Sequence, residues 1–374
     1  MIIWKRGTVA GIAEERGVVQ EVVVATDDGS TNHAIHYMDV SRPLRLGDRV
    51  KMNATAVELG LGSGGYHFIS EVAGESDIPE TDADRTPNHS GHIMKLRYTS
   101  LQRAVLSVEE PASPHHAVFA ETRTLEGMPV LIGELHSMLP AAALWIGSSR
   151  PLHSLRVSYV MTEGGALPIS FSRHAALLKE AGWICGTVTY GHAYGGDLEA
   201  VNKYTALLAA RHVQSADIAI AAMGPGIVGT GTPFGHTATE MAELVHAVRA
   251  LGGTPIVIPR VSFADTRARH SGVSDHLLET LGKLALTPAV IPLPEQWDER
   301  EKQAVRRQLA SSGCAERHEI EWVREVSLHD VERCLESYPA GITTMGRGLR
   351  DDPSFYLCAC AAAQAALSRV RSPG

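Results

Sequence analysis

Ile218-Ala219-Ile220-Ala221-Ala222-Met223-Gly224-Pro225-Gly226-Ile227-Val228-Gly229-Thr230-Gly231-Thr232 decides how this chain is read. Six consecutive apolar residues suit a strand covered on both faces, as strands of a parallel sheet are. The glycines that follow admit backbone conformations closed to other side chains and let a ligand approach closely. Thr230 and Thr232 add hydroxyls to a loop rich in backbone N–H groups, which suits an anion such as a phosphate. A helix is expected from about Thr237, where Met241, Leu244, Val245 and Val248 form an apolar stripe at spacings of three and four.

Outward from this unit the same alternation runs from about residue 93. Strand candidates are Val105–Val108, Val130–Ile132, Leu155–Met161, Ile184–Thr189, Pro255–Ile258 and Ala289–Ile291. The pattern predicts an α/β domain over residues 93–374, with a mostly parallel sheet covered by helices. Residues 1–73 read differently. Val22–Thr26 and Ala34–Tyr37 flank a turn at Asp27-Asp28-Gly29, Arg42–Val50 enters another strand, and Gly60–Gly65 turns into Tyr66–Ile69. Short strands without a helical period predict a small β-barrel. Between them, residues 74–92 carry five acids and two prolines among few apolar anchors, and are expected to be a mobile linker.

The bulk composition limits the function classes. Hydrophobic residues make up 44% and charged residues 20%, which is ordinary for a globular protein. A net charge of −8 argues against non-specific nucleic-acid binding, and the barrel shows no alternation of basic and aromatic residues. Met1–Gly7 lacks the apolar core of a signal peptide, and the apolar stretch Phe355–Leu367 is too short to span a bilayer. The five cysteines are scattered, without a Cys-x-x-Cys, so free thiols in the cytoplasm are expected and no metal site is indicated.

In a parallel sheet, ligands bind beyond the carboxyl ends of the strands. Polar and glycine residues gather in those segments here: Thr162–Pro168, Tyr190–Asp197, Gly224–Thr232, and a basic loop with Arg260, Asp265, Arg267, Arg269 and His270. Gly224 to Gly229 fits G-x-G-x-x-G, but Pro233 and Gly235 delay the helix, and the following strand ends on Arg260 rather than an acid. No lysine follows the glycines, so a P-loop is excluded. An anion-binding loop of another type and a long turn without a ligand both remain open. The candidate ligand-binding residues are Gly224, Gly226, Gly229, Thr230, Gly231, Thr232, Arg260, Arg267 and Arg269; a guanidinium offers paired donors to phosphate or carboxylate. Glu163, His192 and His270 are candidate acids and bases. Thr237-x-x-Glu240 has capping-box spacing, Asp197 is expected to cap a helix over residues 198–211, and Ser274 the next one. Gly346–Pro353 could return Arg347 to the cleft. The final helix, from about Pro353 to Arg369, is rich in alanine and suits either core packing or a homodimer interface.

This set of segments resembles a bacterial family of proteins of unknown function. The resemblance rests on Met223–Thr232 and His270-Ser271-Gly272-Val273-Ser274-Asp275-His276, with Tyr190–Asp197 between strands, and covers most of the chain. It implies no activity, cofactor or catalytic residue. From the loops alone, the expectation is an enzyme or binding protein for a small anionic, phosphorylated metabolite or nucleotide. The alternative is a non-catalytic sensor or assembly module whose barrel contacts a partner.

Overall fold

Gly7 fixes how the N-terminal strands close. In the computed structural model, which describes residues 2–61, 64–74, 91–149, 154–165 and 167–370, Gly7 lies opposite both Thr26 and Val50. A Cβ at Gly7 would come within 2.5 Å of the Ala25 carbonyl oxygen and 2.6 Å of Val24 Cγ1, so only glycine fits. Five strands make the closed barrel: β1 (Trp4–Arg16), β2 (Val19–Thr26), β3 (Thr31–Tyr37), β4 (Arg49–Asn53) and β5 (Tyr66–Val72). Their order is β1-β2-β3-β5-β4, with β4 returning to β1. Register shifts at Val9/Gly11 and Ile12/Glu14 bend the long β1 around the barrel. Val9, Val22, Val24, Ala34, Leu44, Val50, Met52 and Val72 fill the interior. The expected turn before Tyr66 falls partly, and the expected linker mostly, outside the described residues.

The second unit begins with the hairpin β6 (Ile93–Lys95) and β7 (Arg103–Val105). Its main strands are β8 (Pro129–Gly133), β9 (Val157–Thr162), β10 (Gly186–Tyr190), β11 (Leu198–Ala200), β12 (Ile218–Met223) and β13 (Thr254–Val257). The short pair β14 (Val261–Ser262) and β15 (Gly272–Val273) precedes β16 (Val290–Pro294) and β17 (Glu319–Val323). Eight of these form one parallel sheet in the order β11-β10-β9-β12-β8-β13-β16-β17. β8, β9, β10, β12 and β16 are buried along their whole length, as strands covered on both faces are.

Two helix groups cover the faces. Met138–Ser148, Leu328–Glu336 and Pro353–Leu367 pack together; Lys203–Leu208 packs with Glu240–Ala250. The chain leaves β8 towards β9 and leaves β12 towards β13, in opposite directions across the sheet. Right-handed crossovers then carry the two connections over opposite faces and open a crevice between the carboxyl ends of β8 and β12.

Several expectations are corrected. Residues 198–211 do not begin as a helix: β11 comes first, and Asn202 caps Lys203–Leu208 in a reciprocal box with Thr205. Asp197 instead accepts the Thr187 amide at 2.9 Å and hydroxyl at 3.0 Å, and pairs with Lys179. The alanines of the last helix are covered within the chain. Ala361, Ala362, Ala365 and Ala366 are at most 1% exposed, so they serve the core and leave no face for a second copy. All five cysteines are free thiols, four of them buried. Among the described residues, no helix is long and apolar enough to cross a membrane.

Candidate functional site

The glycine loop leaves β12 buried at Gly224 and becomes exposed from Val228 to Phe234. Gly226 at φ +118° and Gly231 at φ +75° are the two positions whose backbone demands glycine. Further on the loop folds back on itself. The Thr230 amide donates to the Gly235 carbonyl (2.8 Å), Thr237 N–H to Val228 O (3.0 Å), and Val228 N–H to Thr237 Oγ1 (3.1 Å). The Thr230 hydroxyl donates to Gly235 O (3.0 Å) and lies 2.9 Å from the Thr232 hydroxyl. These groups are therefore engaged in holding the loop, and its exposed tip around Gly231 and Thr232 faces outward. Thr237 consequently does not cap the Glu240–Ala250 helix, which has no side-chain cap.

Beneath the loop lie three histidines. The His236 ring stacks on His276 with centroids 4.0 Å apart and planes within 11°, and His270 meets His276 edge-on at 4.9 Å. Gly229 rests on this stack; a Cβ there would be 3.0 Å from His276 Cε1. Burial, reinforced by neighbouring arginines and histidines, lowers His270 to about 3 and His276 to about 4, so both rings are neutral at physiological pH. His270 Nδ1 shares a 2.9 Å hydrogen bond with the Ser274 hydroxyl, which is why Ser274 does not cap the Asp275–Glu279 helix.

The three arginines of the basic loop divide by partner. Arg260 is buried and donates to Glu134, at the end of β8, at 2.7 Å. Arg267 forms two parallel bonds to Asp265 (2.9 and 2.7 Å), and Arg347 joins the same carboxylate at 3.0 Å, so the late turn does return to this loop. Hydrogen bonds from Arg267, more than any other cause, hold Asp265 far below the usual carboxylate range. Arg269 is exposed, has no ion pair among the described residues, and carries Nη1 3.7 Å from where a Cβ on Gly231 would sit. Its Nε donates to His270 Nε2 at 3.3 Å, and its Nη1 lies toward the glycine tip.

On the other side of the loop stand two carboxyl groups. Glu240 turns inward, accepting hydrogen bonds from Thr162 Oγ1 (2.7 Å) and Tyr190 Oη (2.9 Å), and burial raises it above the ordinary range. Glu163 is exposed, with its carboxylate over Gly191. His192 faces elsewhere: Leu96 N–H donates to its Nδ1 at 3.1 Å, and Arg97 Nη2 lies 3.4 Å from Nε2. The structure thus gathers Gly229, Gly231, Arg269, Arg260 and His270 on one side of the loop and Glu163 on the other, and ties His192 to the hairpin connection. Glu134 and the stacking of His236 on His276 went unnoticed in the sequence, and Glu240 was read only as a capping residue, because their partners lie on other elements and share no local spacing. Among the described residues, no three His, Cys, Asp or Glu side chains converge to hold a metal ion.

Comparison with curated proteins and with solved structures yields no match. A family model does match, over residues 33–363, spanning part of the barrel and nearly all of the sheet unit. The chain therefore belongs to the family described as "Protein of unknown function (DUF3866)".

Proposed function

We propose that the α/β unit binds a small phosphorylated metabolite or nucleotide at the carboxyl edge of its sheet, as substrate or as effector. The observation that carries this reading is Arg269: an exposed guanidinium without an ion pair, beside the exposed glycine tip at Gly231. A guanidinium and closely approachable backbone amides are complementary to phosphate oxygens. Arg260 contributes from below by fixing Glu134, and the neutral His270 and His276 leave the arginines as the positive charges of the site. The reading takes the protein as cytoplasmic, in keeping with five unpaired cysteines.

Thermal-shift measurements with inorganic phosphate, sugar phosphates and nucleotides test it. Ligand at about 100 times Kd stabilises by about 2.7 kcal/mol. Arg269→Ala is expected to weaken inorganic phosphate about tenfold, the loss of a charge-assisted hydrogen bond. Absence of a shift with every anion defeats the reading.

The barrel favours a second role beside it. Trp4, Tyr37, Val40 and Phe68 line a groove on its surface, which suits an assembly or sensor module whose ligand is bound without turnover. That role predicts binding of phosphate ligands with no product formed. A homodimer would have to use a surface other than the last helix, whose alanines are buried.

A further inference from the structure

The strand that follows the glycine loop in sequence, β13, leads into Arg260, but β9, the strand beside the loop in space, is followed directly by an acid, Glu163. β9 and β12 pair in parallel with Thr162 opposite Met223, so Glu163 and Gly224 leave the sheet side by side. The turn after Glu163 lies along the start of the loop. A Cβ on Gly164 would be 3.2 Å from Met223 Cε, and one on Gly165 would be 3.6 Å from the Pro225 carbonyl oxygen.

The position of the Glu163 carboxylate is built by its surroundings. Gly191 sits at φ +62°, and a Cβ there would collide with the Glu163 carboxylate; glycine keeps that space clear. Glu240, the neighbouring acid, is engaged by Thr162 and Tyr190. Glu163 has no ion pair or hydrogen bond among the described residues and is exposed. A carboxylate is acceptor-only, and its two oxygens match two adjacent hydroxyl donors. Its charge also repels phosphate from this side of the loop, so it would orient a ligand that carries both groups. An acid at a strand tip next to a glycine loop holds ribose in dinucleotide folds, and the same chemistry is available here without that fold's helix placement.

We propose that Glu163 recognises a vicinal diol, which makes the ligand of this site a phosphate ester of a ribose or similar polyol. The inference rests on the phosphate reading above and adds the sugar to it. Glu163 is the specificity residue; Gly191 is the positioning residue that leaves room for its carboxylate.

Calorimetric titration of the full chain near neutral pH with inorganic phosphate, ribose 5-phosphate and 2-deoxyribose 5-phosphate tests the proposal. Ribose 5-phosphate is expected to bind about tenfold more tightly than its 2-deoxy counterpart, the worth of one hydrogen bond to a charged acceptor. Glu163→Ala should remove that preference, with far-ultraviolet circular dichroism reporting that the variant is folded. Gly191→Ala should do the same by displacing the carboxylate. Phosphate binding with equal affinity for the two sugars overturns the proposal and spares the phosphate reading. A preference that survives Glu163→Ala overturns it as well. No binding of any of the three probes removes both readings together.

Discussion

Burial raises the Glu240 carboxyl above its ordinary range, while the hydroxyls of Thr162 and Tyr190 pull it back down. Removing that acceptor strands two polar groups: Thr162 is 1% exposed and Tyr190 is fully buried. Glu240→Ala should therefore cost about 2–4 kcal/mol, whereas Glu240→Gln, which keeps an acceptor and offers its amide to a hydroxyl, should cost under about 1 kcal/mol. Urea unfolding of both variants checks the difference, and equal losses would deny the hydrogen bonds their role. Nothing local to Glu240 reveals this. Its spacing from Thr237 reads as a cap, and the two residues that override that reading sit on β9 and β10. The Arg267–Asp265 pair, by contrast, joins two residues of one loop. The histidines add a pH dependence. His270 and His276 titrate far below the ordinary 6.5, so the unfolded chain binds protons that the folded chain does not, from about pH 6.5 down to about pH 4 for His276 and to about pH 3 for His270. Stability must then fall on acidification through this window and level off below it, by up to about 1.4 kcal/mol per pH unit for each histidine. His276→Phe keeps a ring against His236 without a titrating group. Its urea midpoint should depend less steeply on pH than that of the wild type, and an unchanged slope would count against a neutral His276.

The Pro353–Leu367 helix shows what an element's composition conveys and what it withholds. Its alanine run signals close approach of another helix, and the sequence leaves the identity of that helix open. The structure supplies it from within the chain: the Met138–Ser148 helix, with Trp145 Nε1 donating to Gln364 Oε1 at 3.1 Å. Ala362 is fully buried, so Ala362→Glu places a carboxylate in the core without a partner. The expected outcome is loss of the folded α/β unit, read by near-ultraviolet circular dichroism. A folded monomer obtained from a dimeric wild type would instead restore the interface reading. Strands were legible where both faces are covered, as in β8 and β12, because continuous apolar runs have no other economical use. The edge strands were missed for the converse reason. Glu319-Ile320-Glu321-Trp322-Val323 alternates in sequence and lies at the sheet edge, only partly covered, and Leu198–Ala200 is only three residues long. The cap at Asn202 was hidden by the same misreading. Asn202→Ala should cost about 1 kcal/mol and Asp197→Ala should leave the Lys203–Leu208 helix capped; amide exchange in residues 203–208 distinguishes the two.

The chain divides into two compact units with separate interiors: one over residues 1–90 with 98–101, the other over the remainder. The change of hydrophobic period along the sequence signals the two architectures, because a barrel of short strands and a doubly covered sheet bury their side chains at different spacings. What the sequence could not carry is the order of strands in the sheet, and with it the meeting of β9 and β12 that sets Glu163 beside Gly224. The apolar cluster inside the barrel holds eight buried side chains among the described residues and is small, so a single truncation removes a sizeable part of its stabilisation. Val24 is fully buried there. Val24→Ala leaves a cavity worth about 2 kcal/mol, which would raise amide exchange throughout β1, β2 and β3 as one cooperative unit. The sheet unit has its own core, and none of the residues at the glycine loop belongs to the barrel. Exchange in β9 and β12, and the affinity for inorganic phosphate, should therefore stay at wild-type values. Hydrogen-exchange mass spectrometry reads both units in one experiment. Faster exchange confined to residues 4–37 establishes two independent cores; a parallel increase in residues 157–162 and 218–223 would mean that the barrel and the sheet fold as one.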